Sequence, residues 1–190
     1  MTGKEAAEAL LHREGIYDVR VEYVAGNLTD HYDPRSKVLR LSDATYQQTS
    51  VAAIGVAAHE CGHAIQHARG YAPLSIRSAL VPVANFGSSI AWPLIIIGLI
   101  MNSQTSQLFL NLGVIAFSMA VLFQIVTLPV EFNASRRALK ILGNTGMLYP
   151  DEVRETRKVL TAAALTYVAG AASAILQLLR LIMISNSRRD

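Results

Sequence analysis

The longest feature of the chain is a stretch without charge. From Ser78 to Val130 there is no Asp, Glu, Lys or Arg. A membrane-spanning helix takes about 20 apolar residues, so this run has room for two. It is divided by the polar but uncharged NSQTSQ, Asn102–Gln107. The pattern predicts one span over Ala79–Met101, a tight turn, and a second span over Leu108–Val130. Pro82, Asn85 and Pro93 lie in the first. Prolines are tolerated in membrane helices, and here they predict either a kink or a helix that begins after Val81. A third charge-free stretch, Val159–Leu179, carries Ala169, Gly170, Ser173 and Ala174, small residues that suit close helix packing in lipid.

Before these spans the periodicity is that of a small α/β unit. T-x-x-E at Thr2–Glu5 fits a capping box, and Ala6, Ala7, Leu10 and Leu11 form a helical stripe that should end near Gly15. VRVEYV (19–24) alternates as a strand does. LTDHY (28–32) and KVLRLS (37–42) flank the turn signal DPRS and predict a hairpin. Ser50 can cap a helix that runs to about Arg69 and stops at Gly70. That helix is apolar nearly all round before His59, which predicts burial.

Composition agrees with membrane residence: 52% of residues are hydrophobic and 16% charged, against about 25% charged in an ordinary soluble domain. The net charge of +3 comes from scattered cations with few aromatics among them, so no nucleic-acid partner is expected. The single Cys61 excludes an intramolecular disulfide and any all-cysteine zinc site. MTGKEAAEALLHREG is polar and helical rather than a secretory signal, so insertion must use internal segments. Lysines and arginines gather in residues 1–77 and 131–158 and are missing from the 102–107 turn. By the positive-inside rule both polar segments face the cytoplasm, which leaves SNSRRD, with Arg188 and Arg189, outside.

The buried helix carries the chemistry. His59-Glu60-Cys61-Gly62-His63 reads H-E-x-x-H, a match that composition alone would produce in roughly one of two hundred such chains. Residues four apart share a helix face, so both imidazoles can meet one zinc ion. Glu60 beside them can take a proton from an activated water. Two histidines and a glutamate in a buried helix are otherwise costly without partners. His67 continues the four-residue interval, but it lies about 12 Å along the axis from His59, too far to share the ion, and reads as an outer or surface residue. Cys61 points elsewhere round the helix and reads as a small packed side chain. The third ligand must come from another segment. Asp30, His31, Asp33, Asp43, Glu131, Asp151, Glu152 and Glu155 are candidates. Glu131 stands out as the first charge after the long run, just past Pro129, where it opens the helical segment EFNASRRALKIL. Its competing reading is an interfacial carboxylate at a helix N-terminus.

The blocks LTDHYDPRSKVLRLS, GVAAHECGHAIQHARGYAPLSIRSALVPVANFGS and LPVEFNASRRAL resemble the neutral zinc metallopeptidases of bacterial membranes, the YugP-type proteins. The resemblance covers essentially the whole chain. More distantly, the layout is similar to that of HtpX-type and CAAX prenyl membrane proteases. It implies a gluzincin-like site, with His59, His63 and Glu131 on one catalytic zinc ion and Glu60 as general base. The distant relatives carry E-x-x-x-D, whose Asp orients a zinc-bound His; this chain has Ser135 there, a weaker partner for the same duty. YugP-type chains usually open with a further span, whereas this one opens at MTGKEAAEAL.

The expectation is a mainly α membrane protein with about three transmembrane helices. To these is added a zincin-like α/β unit of one helix, a short antiparallel sheet and the buried active-site helix. Residues 1–77 form the cytoplasmic-facing unit, 78–130 a transmembrane hairpin and 131–158 a cytoplasmic helical segment with the third ligand. Residues 159–184 form the last span and 185–190 the tail. The expected protein is a zinc endopeptidase of the bacterial inner membrane acting on protein or peptide substrates. Such a substrate could add to the sheet edge beside KVLRLS. His31, Arg136 and Arg137 are candidates for transition-state stabilisation, and positive-inside anchoring competes for the arginines. The alternative is a scaffold or chaperone-like membrane protein with a structural zinc. A closed site with His67 or Cys61 as fourth ligand would mark it.

Overall fold

The computed structural model describes residues 1–101 and 104–187. Its elements, in chain order, are α1 (Gly3–Arg13), β1 (Arg20–Tyr23), β2 (His31–Asp33), β3 (Val38–Leu41), α2 (Val51–Ala68), α3 (Ala72–Ile100), α4 (Gln104–Thr145) and α5 (Pro150–Ser187). The chain divides into two compact units. One is Met1–Leu74 with Pro129–Leu165, and the other is Ser75–Leu128 with Thr166–Asp190.

In the first unit local chemistry sets the elements. Thr2 and Glu5 close a reciprocal capping box on α1, and Gly15 leaves the helix at φ +75°. Ser50 caps α2 through the Ala53 amide, and Gly70 at φ +60° follows its end. Ala6, Ala7, Leu10 and Leu11 are all but fully buried. They join Leu39 and Leu41 of β3, Ile54 to Ile65 of α2, Ala138 and Leu142 of α4 and Leu160 of α5 in one core. The sheet differs from expectation. β2 and β3 do pair as the antiparallel hairpin, but β1 runs parallel to β3, in the order β1-β3-β2. The sheet is therefore mixed, because β1 reaches β3 by a crossover rather than by a second hairpin. KVLRLS forms the central strand, so both its edges are paired and no substrate strand can add beside it.

The second unit holds parts of the three helices that are long and apolar enough to cross a membrane. α3 begins at Ala72, earlier than either sequence reading, and keeps Pro82 and Pro93 inside it. At 29 residues it is about 44 Å long, more than the ~30 Å hydrocarbon core requires. Phe86, Trp92, Leu112, Ile115 and Leu176 are exposed, as lipid-facing side chains are. Close helix packing falls at Gly87, Gly98 and Gly113. There a Cβ would lie 2.5 Å from the Ala116 carbonyl, 2.8 Å from Leu110 and 2.6 Å from Ile95. Ala169, Gly170 and Ser173, expected at such a contact, are exposed instead. Gln107 donates to Asn111 and Ser185 at 2.9 Å, a polar tie between α4 and α5. Of the proposed turn, residues 102 and 103 lie outside the described residues, as do Arg188 and Arg189.

α4 also corrects the reading of Glu131 as a helix start. The helix runs unbroken from Gln104 to Thr145 with Pro129 inside, and Glu131 is an interior residue, 2% exposed. A proline forfeits its own amide bond and bends a helix, but it need not end a long packed one.

Where α2 meets α4, a Cβ on Gly62 would lie 2.6 Å from the Ala134 carbonyl oxygen. That neighbour is backbone and cannot rotate away. Gly62→Ala should therefore cost about 1–3 kcal/mol, measured as a lowered melting temperature of the detergent-solubilised protein.

Candidate metal centre

His59 and His63 lie one turn apart on α2, their rings 4.8 Å apart and nearly perpendicular. Glu131 reaches them from α4. Its Oε2 lies 3.2 Å from His59 Nε2 and 3.6 Å from His63 Nε2. Ligand atoms held tetrahedrally by zinc at 2.0–2.1 Å stand about 3.3 Å from one another. The three residues thus present a zinc-sized donor set, and their ligand atoms all lie within 4.8 Å of each other. Among the described residues His, Cys, Asp and Glu form no other group of this kind.

Each imidazole is held by its other nitrogen. His59 Nδ1 is 3.1 Å from Ser135 Oγ, one turn beyond Glu131 on α4. His63 Nδ1 is 3.0 Å from Gln66 Oε1. Gln66 is fully buried and donates to the Val130 carbonyl at 2.8 Å and to Asn133 Oδ1 at 3.0 Å. Gln66 escaped the sequence reading. The signal was available: a glutamine three residues after the second histidine, on a helix predicted to be buried. Burial presses the His63 imidazole towards its neutral form. The Glu131 carboxylate beside its Nε2, with the charge of Glu60, outweighs that, so its pKa lies above the ordinary value.

Glu60 follows His59 directly and is 8% exposed. No hydrogen bond or ion pair ties its carboxylate among the described residues. The other carboxylates weighed as third ligand are mostly engaged elsewhere. Asp30 accepts from the amide and hydroxyl of Ser42. Asp33 holds the hairpin turn through Arg35 and Ser36. Asp43 accepts from Tyr23 and Gly26, Glu152 from the Tyr149 amide, and Glu155 pairs with Lys158.

His67 is exposed and its Nδ1 is 2.8 Å from the Tyr32 hydroxyl, so it joins α2 to β2. Cys61 is fully buried, with its Sγ 3.6 Å from the Ala7 carbonyl. Burial, reinforced by the Glu60 charge, pushes its thiol pKa up. Neither residue enters the donor set. His31 is exposed on β2 and contacts Thr29 and Arg40. Arg137 donates to Asn133 at 2.8 Å and lies over the Tyr71 ring. Arg136 lines a cavity of about 550 Å³ together with Ser135, Phe132, Lys140 and Arg157.

One half-buried and one buried imidazole face a buried carboxylate, a donor set that could hold a metal ion. Residues 1–186 match the family described as "Putative neutral zinc metallopeptidase", and the chain belongs to it. It is 48% identical over 189 residues to the "Putative membrane protease YugP" of Bacillus subtilis (strain 168), a match covering 100% of this chain and 83% of that protein. No solved structure matches.

Two measurements check the site. Glu131→Ala should lower zinc retained after dialysis well below one ion per chain. Thiol reagents should leave Cys61 unmodified in the folded protein and label it once the chain is unfolded, as a desolvated thiol requires.

Proposed function

We propose that this protein is a membrane-embedded zinc endopeptidase with a gluzincin-like centre. His59, His63 and Glu131 hold one ion, and Glu60 is the general base. The observation that carries the reading is the approach of one Glu131 carboxylate oxygen to both Nε2 atoms, at 3.2 and 3.6 Å, with Glu60 beside His59 on the same helix. A zinc ion supplies Lewis acidity, polarising a carbonyl and making water acidic enough to attack near neutral pH. Glu60 accepts the proton released at its carboxylate and returns it to the leaving amine. Ser135 and Gln66 keep the imidazoles oriented throughout. A set of three protein ligands leaves a position open for chemistry, which supports the enzyme over a scaffold with a closed structural zinc.

The substrate is a protein or peptide in extended form, laid along the outer edge of β2. That strand lies at the sheet's edge, and Tyr32 ties it to His67 at the end of the active helix. Arg136 remains a candidate for holding developing negative charge, whereas Arg137 already donates to Asn133. Residues 1–77 and 131–158, which carry most of the cations, face the cytoplasm of a bacterial cell by the positive-inside rule, with the apolar segments 78–130 and 159–184 in the inner membrane.

Glu60→Gln tests the mechanism. The variant should bind zinc as the parent does and lose at least ~10²-fold in cleavage of an unfolded protein substrate. Cleavage at the parent rate would remove Glu60 from the reaction.

A further inference from the structure

The hydrogen bonds around Gln66 have a direction that chemistry fixes. The Val130 carbonyl can only accept, so the amide nitrogen of Gln66 must face it. The Arg137 guanidinium can only donate, so the Asn133 oxygen must face Arg137 and can accept from Gln66 as well. Both amide hydrogens of Gln66 are then directed at α4. Its Oε1, 3.0 Å from His63 Nδ1, is left as an acceptor and needs a donor. Among the described residues only Nδ1–H supplies one. A neutral imidazole protonated at Nδ1 carries its lone pair on Nε2, the atom that faces Glu131.

We infer that Gln66 is a positioning residue that locks His63 into the metal-ready tautomer and ties its orientation to the segment of α4 that bears Glu131. Gln66 grips Val130 and Asn133, one residue before and two residues after Glu131. One buried side chain therefore sets the outer hydrogen bond of one ligand and the placement of another. The amide is suited to this task because it accepts on one side and donates twice on the other. Ser135 has a hydroxyl that can rotate to donate or accept, and it imposes no such direction on His59. The inference rests on the zinc reading above but not on peptidase activity.

The test uses the full chain in detergent, with [15N]histidine and zinc alone as the probe. In the zinc-loaded parent, His63 should show a slowly exchanging Nδ1–H resonance. Gln66→Met keeps the volume and removes every hydrogen bond. It should lose that resonance to fast exchange and bind zinc about 10–100-fold more weakly in a chelator competition. Gln66→Glu keeps the acceptor for Nδ1–H. It should keep the resonance and stay closer to the parent in affinity than Gln66→Met does. Far-UV circular dichroism reports folding; if Gln66→Met is unfolded, Gln66→Glu decides alone. A folded Gln66→Met with the parent resonance and affinity would overturn the inference. So would a folded Gln66→Glu that lacks the resonance. A parent that holds no zinc would instead defeat the metal reading, and one that holds zinc but cleaves nothing would defeat only the peptidase.

Discussion

Everything at the metal centre depends on how closely two helix backbones approach at one point. Gly62 stands between His59 and His63, and Ala134 stands between Glu131 and Ser135. The space that a Cβ would fill at Gly62 is occupied by the Ala134 carbonyl. Packed helices ordinarily keep their axes 8–10 Å apart, at a distance set by the side chains at the contact. With glycine there, α4 comes near enough for a glutamate to touch both imidazoles and for a serine hydroxyl to reach His59. A longer residue at 62 would separate the ligands before any metal could draw them together.

That approach brings polar groups into a buried place, and their cost is met by pairing. Glu131 faces two imidazoles, and each imidazole has a second partner. The partners differ in kind. Serine offers one adaptable hydroxyl, whereas glutamine and asparagine form a chain with a fixed direction that ends on Arg137. The apolar shell of α1, β3, α2, α4 and α5 surrounds this network, so the orientation of the ligands follows from the packing of the unit. In the second unit glycines at helix contacts serve a different end, close packing without a hydrophobic driving force in lipid.

Much of this was legible before any coordinates. The capping box at Thr2, the N-cap at Ser50, the terminating Gly70 and the hairpin around DPRS are local devices, each decided by a few neighbouring residues. The apolar helices were legible because their pattern extends over many residues. The errors occurred where local cues compete with long-range packing. Pro129 read as a boundary but is carried within a continuous helix. KVLRLS read as an edge but is the central strand, since nothing in its sequence states that β1 crosses over to pair with it. Gln66 was passed over because a glutamine near the end of a helix is usually a surface residue, and here it is fully buried.

The sequence by itself determined half of the candidate metal site. H-E-x-x-H on a buried helix sets two imidazoles on one face and a glutamate beside them, because helical periodicity is a local property. The proposed third ligand, Glu131, is 72 residues from His59, and spacing could only nominate it among other carboxylates. Tertiary structure brought Glu131 to both imidazoles. It engaged most of its rivals in turns, caps and an ion pair, and it brought α4 against α2 where a glycine left room. A contact between distant segments depends on shape and on which buried polar groups find partners, and neither is written in the neighbourhood of any one residue.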